Sequence, residues 1–188
     1  MRIRVYLVRH AESLSNIGAH IEEKEDVLSD KGILQARKLA SYFDNFSFEA
    51  IYTSQSFRAK LTAEETSNLT RVKSSSYDFL GEREGHLSDD LVFSITEKFE
   101  ALKRRLAETK NFLENSKHKH VVVSHAIFIK ALIAYLMFED SLNESSLARI
   151  SDIIVIENVG VIELVFNKEK ERWRIISINN SVSSEDYV

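Results

Sequence analysis

The chain of 188 residues contains no cysteine and no proline, and only five glycines. Without cysteine it forms no disulfide, thiolate nucleophile or Cys-ligated zinc site, so nothing in it requires an oxidising compartment. Without proline, its turns depend on glycine, asparagine, aspartate and serine. These absences exclude several classes of site without naming a function.

Long apolar runs and an excess of positive charge are also absent. No apolar stretch reaches the ~18 residues of a membrane span, and no charged leader with an apolar segment opens the sequence. We therefore expect neither a membrane partner nor secretion, and a cytoplasmic location. The net charge of −4 argues against a nucleic-acid partner, because such proteins neutralise phosphates with clustered Lys and Arg.

The composition is that of an ordinary globular protein, with 44% hydrophobic and 29% charged residues. Domains cluster at about 100 to 200 residues. We therefore predict a single domain over residues 1–188, of which the polar segment 179–188 is a flexible tail.

Apolar strands and amphipathic helices alternate along the chain. Strands are predicted at 3–8, 50–53, 120–124, 152–157, 161–166 and 172–178, the last two as an antiparallel hairpin. Helices are predicted at 31–43, 55–69, 91–115 and 126–138, with Ser29, Asp30 and Ser54 as candidate N-caps. Residues 12–26 and 72–88 are predicted loops. The strand–helix alternation predicts an α/β fold, a three-layer α/β/α sandwich with a mostly parallel, mixed central sheet.

Two predicted strands end in a histidine. Residues 5–8 run into Arg9 and His10, and residues 121–124 run into His125. In an open α/β sheet, ligands bind beyond the carboxyl ends of the strands, so these side chains are expected at one rim. An arginine fork and the free N–H groups of a helix beginning at Ala126 both suit a phosphate.

The order of motifs resembles that of the histidine phosphatase superfamily, to which phosphoglycerate mutase belongs. The resemblance runs from residue 3 to about 138, and loosely on through Asn158 to the Trp173 hairpin. The motifs are Arg9-His10-Ala11-Glu12-Ser13 with Asn16, Leu28-Ser29-Asp30-Lys31-Gly32 with Gln35-Ala36, Ile51-Tyr52-Thr53-Ser54 with Arg58-Ala59 and Thr62-Ala63, a Glu- and Gly-containing loop, and Val123-Ser124-His125. Each motif alone is a weak signal, whereas five in this order are a strong one.

The resemblance implies a phosphoglycerate mutase-like fold and a metal-independent phosphatase without a cofactor. His10 would be the nucleophile that forms a phosphohistidine. Arg9, Arg58 and His125 would surround the phosphoryl oxygens. Further substrate contacts would come from Asn16 and the Ala126 backbone. A metal site at His10, Glu12 and His125 lacks the ligand spacing typical of metals.

In this family a loop glutamate after the second arginine protonates the leaving group, and two glutamates are candidates. Glu82 is preferred because Leu80-Gly81-Glu82 resembles the usual Leu-x-Glu lead-in, although Gly85 follows one residue early. A solvated loop position stays open for both glutamates, more so for Glu84. His86 beside them lines the substrate entrance or lies on the surface.

Alanine stands at positions 11 and 126, where the family usually has glycine. If the backbone there needs a positive φ, alanine would be strained. Activity is expected to survive both replacements.

Three functions stay open. The first is a phosphohydrolase that cleaves small phosphomonoesters, with phosphoprotein substrates not excluded. The second is a cofactor-dependent phosphoglycerate mutase, although only about 40 residues separate Glu82 from His125, which leaves little room for a substrate-enclosing insertion. The third is a catalytically silent module that binds phosphorylated ligands. Neither the substrate nor the oligomeric state can be read from the sequence.

Overall fold

Strands and helices alternate as far as the middle of the chain, and a hairpin closes it. The computed structural model describes residues 1–19, 21, 25–83, 85–87, 93–116 and 118–180. The strands are β1 (Arg2–Arg9), β2 (Ala50–Thr53), β3 (Ser74–Ser76), β4 (Gly85–Leu87), β5 (Phe93–Ile95), β6 (Lys119–Ser124), β7 (Val161–Asn167) and β8 (Arg172–Asn180). The helices are α1 (Asp30–Asp44), α2 (Phe57–Thr70), α3 (Phe99–Asn115), α4 (Ala126–Phe138) and α5 (Glu144–Ile153).

The main sheet is mixed. Its strand order is β3-β2-β6-β1-β7-β8, and β4 pairs with β5 in a separate hairpin. Strand β1 is parallel to β6, as β2 is to β6 and β3. Strand β7 is antiparallel to both β1 and β8. The parallel strands therefore all end at one edge of the sheet, where a strand-end site can form.

Two hydrophobic cores lie on opposite faces of the sheet. Successive side chains of a strand point to opposite faces. Val5 and Leu7 of β1 pack in the core with residues of α3, α4 and α5. Tyr6 and Val8 pack in the other core with α1 and α2. This arrangement confirms the predicted three-layer α/β/α sandwich.

One predicted strand does not form in the structure. The β-branched run at 152–157 was a predicted strand, but α5 extends to Ile153 and no strand follows until β7. Asn143 caps this helix, because its side chain accepts a hydrogen bond from Ser146 N at 3.0 Å. The backbone of this segment is bound by side chains instead: Ile156 O accepts from Arg9 Nη1, and Val155 O accepts from Asn179 Nδ2.

Other observed boundaries also differ from the predicted ones. Helix α3 begins at Phe99 rather than at 91, because residues 93–95 pair with β4. The predicted loop 72–88 contains β3, a 3-10 helix at Asp78–Leu80 and β4. Strand β8 reaches Asn180, two residues into the predicted tail, and residues 181–188 lie outside the described part. Within that part, no helix is both long and apolar enough to cross a bilayer.

Candidate active site

His10 is buried and its ring is oriented by one hydrogen bond. The residue is 4% exposed, and its Nδ1 lies 2.7 Å from the carbonyl oxygen of Ala11. Because a carbonyl oxygen only accepts, the proton is assigned to Nδ1, and Nε2 keeps its lone pair. Burial, together with the nearby Arg58 guanidinium, lowers the pKa of His10 to about 3. The ring is therefore neutral near pH 7, with Nε2 able to act as a nucleophile.

His125 lies beside His10, as the two strand ends predicted. The ring centroids are 5.1 Å apart, since β1 and β6 are neighbours that pair in parallel. Burial and then the proximity of His10 lower the pKa of His125 well below its usual value. Both imidazoles are therefore uncharged near neutral pH.

Helix α2 brings Arg58 to the same rim. Arg58 Nε donates to His125 Nδ1 at 3.4 Å, so the proton of the neutral His125 ring is on Nε2. That nitrogen lies 2.7 Å from Ser54 Oγ, which accepts from it. Ser54 was a predicted helix cap, but α2 begins at Phe57 with Ser56 at its N-cap position. Ser54 therefore orients a histidine rather than starting the helix.

The carboxylate of Asp26 is the buried partner of Arg58. Arg58 Nη1 donates to Asp26 Oδ2 at 2.8 Å, and the Asp26 side chain is 0% exposed. Burial raises the pKa of Asp26, but hydrogen bonds from Ser15, Ser13 and Arg58 outweigh it and leave the pKa below its ordinary value. The Arg58 cation thus has an ionised carboxylate on one side and His125 on the other.

Asp26 is a site residue that the sequence analysis missed. It lies at the end of the predicted loop 12–26, just before the Leu28-Ser29 motif. Its position two residues from a recognised motif was the only available signal, because nothing in the spacing relates residue 26 to residue 58.

Arg9 has a donor that no described residue satisfies. Its Nη1 donates to the carbonyl oxygen of Ile156 at 2.8 Å. Its Nε is buried and has no hydrogen-bond partner among the described residues. Burial lowers the pKa of Arg9 from its usual high value, with Glu82 acting against this. Buried donors in native proteins are nearly always paired, so this N–H suits a bound anion.

Glu82 lies at the N-terminus of α4. Its Oε1 accepts from Phe128 N at 2.8 Å, and its Oε2 accepts from Ile127 N at 3.3 Å. Burial raises the pKa of Glu82 above its ordinary value, although these backbone N–H groups favour the ionised form. The carboxyl group therefore binds the backbone two and three residues beyond His125.

Arg105 of α3 fixes the loop that carries Glu82. Its guanidinium donates to the carbonyl oxygens of Gly81 at 2.6 Å and Glu82 at 3.3 Å. Its Nε and Nη2 donate to the two carboxylate oxygens of Glu97 at 2.9 and 2.7 Å. The guanidinium also lies 4.7 Å from the ring centroid of Phe128. Arg105 was not among the predicted site residues.

The other predicted substrate contacts are Asn16, Glu84 and His86. Asn16 is exposed, and its Oδ1 accepts from Asn158 Nδ2 at 3.2 Å. The same Asn158 nitrogen donates to the carbonyl oxygen of His10 at 3.0 Å. Glu84 lies outside the described residues, and of His86 only the backbone, in β4, is described.

The two alanines are not strained. Positive φ angles occur, among the described non-glycine residues, at Arg71, Glu139, Val159, Glu171 and Asn179. Ala11 and Ala126 are not among them. Ala126 is the first residue of α4, so its backbone lies at the rim beside His125. No group of three or more metal-ligating side chains is found in the described part of the chain.

The chain is similar to known proteins in both sequence and fold. Residues 5–91, which include β1 and Glu82, match the histidine phosphatase superfamily (branch 1). Phosphoserine phosphatase 1 of Hydrogenobacter thermophilus is 29% identical over 164 residues, which cover 73% of this chain and 78% of that protein. The 6-phosphofructo-2-kinase/fructose-2,6-bisphosphatase of Arabidopsis thaliana is 28% identical over 155 residues, covering 70% of this chain but only 21% of that protein.

Solved structures show the same fold. The crystal structure of a putative alpha-ribazole-5'-P phosphatase from Escherichia coli superposes with a TM-score of 0.76 at 19% identity, over 95% of this chain and 96% of that one. The chain is thus similar to the histidine phosphatase superfamily over residues 5–91 and shares the fold of this solved structure.

Proposed function

We propose that the protein is a phosphohydrolase that cleaves small phosphomonoesters through a phosphohistidine at His10, with Glu82 as the proton donor. The observation that carries the proposal is the neutral, buried His10 ring, whose Nδ1 is bound by Ala11 and whose Nε2 is free to attack. Beside it, Arg9 and Arg58 supply donors for phosphoryl oxygens, and His125 accepts from Arg58 Nε and so helps to orient that guanidinium.

The proposed reaction has two displacements at phosphorus. His10 Nε2 forms a bond to phosphorus while the bond from phosphorus to the ester oxygen breaks, and Glu82 gives its proton to the departing alkoxide. Water then attacks the phosphohistidine, its proton passes to the Glu82 carboxylate, and inorganic phosphate leaves. His10 and Glu82 thereby return to their starting states.

The contacts of Glu82 are compatible with this role. A proton donor must hold its proton near the working pH, and burial raises the pKa of Glu82 in that direction. A phosphoryl group at the N-terminus of α4 would compete for the N–H groups of Ile127 and Phe128, which now bind Glu82. Substrate binding would thus free the carboxyl group to face the leaving oxygen.

The names of the relatives support a phosphomonoester substrate. The bacterial relative is a phosphoserine phosphatase, and the plant relative includes a fructose-2,6-bisphosphatase. This chain spans only 21% of the plant protein, so the kinase activity in that protein's name is not part of the proposal.

The nucleophile is tested by trapping. With excess chelator present, the wild-type protein should hydrolyse p-nitrophenyl phosphate. Rapid quenching at alkaline pH with a 32P-labelled substrate should trap a label on His10 that later acid treatment removes. His10→Ala should lose both the turnover and the label. Label on another residue, or binding without turnover in the wild type, contradicts the proposal. Conversion of 3-phosphoglycerate to 2-phosphoglycerate, stimulated by bisphosphoglycerate, would indicate a phosphoglycerate mutase instead.

The proton donor is tested by comparing leaving groups. Glu82→Gln should lower kcat for an alkyl phosphate such as glycerol phosphate by about 10² to 10⁴-fold, the usual contribution of general acid catalysis. The effect on p-nitrophenyl phosphate should be much smaller, since nitrophenolate leaves without a proton. Steady-state kinetics with both substrates measure the difference.

A matched control is Glu100→Gln in the first turn of α3, where the carboxylate is exposed. It should leave both rates unchanged. Equal losses on both substrates in Glu82→Gln would show that Glu82 has a different role, such as maintaining the start of α4.

A further inference from the structure

At the edge of the sheet opposite His10, cationic side chains line a cavity of about 440 Å³. We call this cavity the basic groove. Glu49 is the one acidic residue in its described lining. The cations of the groove are Arg2, Arg4, Lys119, Lys170, Arg172 and Arg174. The groove thus gathers positive charge in a chain whose net charge is −4.

Strand register places these cations in rows on one face of the sheet. Arg4 pairs with Lys119 on one side and with Val165 on the other, and Val165 pairs with Arg174. Directly paired residues share a face. One row across β6, β1, β7 and β8 therefore carries three cations. A second row, through Asn167, carries Arg2 and Arg172.

This face is covered by helices at one end and open at the other. Tyr6 and Val8, on the same face as Arg4, pack against α1 and α2. Arg172 and Arg174 are exposed, and the Arg4 side chain is 43% exposed. The groove is therefore the uncovered end of the sheet face, about 20 Å from His10 by the rise of six strand residues.

Such an array destabilises the sheet unless something offsets it. Like charges on neighbouring strands repel, and packing needs no cation at an exposed position. Glu163 pairs with Arg4, and Glu169 lies near Arg2. The positive charge of Lys119, Arg172 and Arg174 is left in excess. An anion bound across the rows would offset this repulsion.

We propose that the basic groove binds a small polyanion with two or more phosphoryl groups. A cavity of this volume is within the range of small-molecule sites. Guanidinium forks bind phosphoryl oxygens through two parallel hydrogen bonds, and several forks favour a ligand with several such groups. An extended nucleic acid would meet the negative charge of the rest of the chain. The proposal is independent of the proposed phosphatase activity.

Titration calorimetry with tripolyphosphate tests the site. The measurement uses His10→Ala, in which the probe is not consumed at the catalytic rim. Adding Arg172→Gln and Arg174→Gln should raise Kd at least about tenfold, because two charge-assisted contacts are lost. Binding should also weaken as salt increases.

Lys38→Gln with Arg149→Gln is the matched control, since both side chains are exposed on other surfaces and the change in net charge is the same. It should alter Kd less than about twofold. Unchanged binding in the Arg172/Arg174 variant, or equal weakening in the control, overturns the proposal. Tighter binding of duplex DNA or polyglutamate than of tripolyphosphate overturns the ligand class.

Should the β8 variant fail to fold by circular dichroism, Lys119→Gln with Lys170→Gln replaces it, with the same expected rise in Kd. Failure of the phosphatase proposal would appear as turnover that survives His10→Ala. That result leaves binding at the groove unaffected, so the two proposals fail separately.

Discussion

At the scale of single residues, the orientation of Arg58 depends on a carboxylate that has no exposed surface. Asp26 accepts hydrogen bonds from Arg58 Nη1 at 2.8 Å, from Ser13 Oγ at 2.9 Å and from Ser15 N at 3.0 Å. The loop that carries Ser13 and Ser15 is thereby joined to α2. Loss of the Asp26 charge would remove the ion pair that orients this nearly buried guanidinium.

Asp26→Asn keeps the shape of the side chain and removes its charge. Breaking a buried ion pair typically costs 3–5 kcal/mol, so we expect a loss of about 3 kcal/mol in the free energy of unfolding. We also expect kcat/KM to fall about tenfold or more, since Arg58 loses its orientation. Urea unfolding and phosphatase kinetics measure the two effects. Asp44→Asn, at the exposed end of α1, is the control and should change neither.

At the scale of elements, the start of α1 packs against the loop that follows His10. A Cβ at Gly32 would lie 1.9 Å from the carbonyl oxygen of Glu12. Ser29 N donates to the same oxygen at 3.0 Å, and Ser29 Oγ donates to Glu12 Oε1 at 2.7 Å. The Leu28-Ser29-Asp30-Lys31-Gly32 motif therefore holds the chain two residues beyond the nucleophile.

Gly32→Ala distinguishes packing from helix propensity. Propensity alone predicts that alanine stabilises the helix by about 1 kcal/mol. The close approach of Glu12 predicts the opposite, a loss of about 1–3 kcal/mol, because helix and loop must separate. We expect the loss, together with lower kcat at the displaced His10. Thermal or urea unfolding gives the sign, and a stabilised, fully active variant would refute the role of this contact.

At the scale of the whole molecule, burying two imidazoles makes stability depend on pH. The unfolded chain binds protons at His10 and His125 below about pH 6.5, whereas the folded chain does not protonate His10 until about pH 3. The unfolded state therefore binds more protons in this window, and stability falls as pH decreases. Glu82, whose pKa is raised by burial, acts in the opposite direction above its unfolded pKa.

Between pH 6.5 and 5 we expect the free energy of unfolding to fall by about 1 kcal/mol per pH unit for each buried histidine. His10→Gln should remove the share of one histidine, about 1 kcal/mol per pH unit, from this slope. Urea unfolding at several pH values in that window measures both slopes. The lowered pKa of Asp26 affects stability only as pH falls below about 4. A wild-type stability that is constant across the window would show that the histidines are not buried as described.

Predictions from the sequence were correct where the local apolar pattern decides the element. The strand ending at Arg9, the α4 bounds and the final hairpin are encoded by local apolar pattern, and all three occur. The run at 152–157 has the same local pattern, but its first two residues end α5 and its carbonyls at Val155 and Ile156 bind side chains, so it is not a strand. That residues 1–188 form one domain stays a prediction, since several segments lie outside the described residues.

The sequence by itself determined the fold class, because apolar alternation is a local property of the chain, and it placed Arg9, His10 and His125 at the ends of neighbouring strands. The order of motifs, through the family resemblance, added Arg58 and Glu82. Only the tertiary structure decided the partners of these residues. Arg58 is bound by Asp26, His125 by Ser54, and the Glu82 loop by Arg105. The partners in each pair are far apart in the sequence, at distances that follow no helix or strand periodicity. Contacts of that kind arise from how helices pack on the sheet, which no spacing in the sequence records.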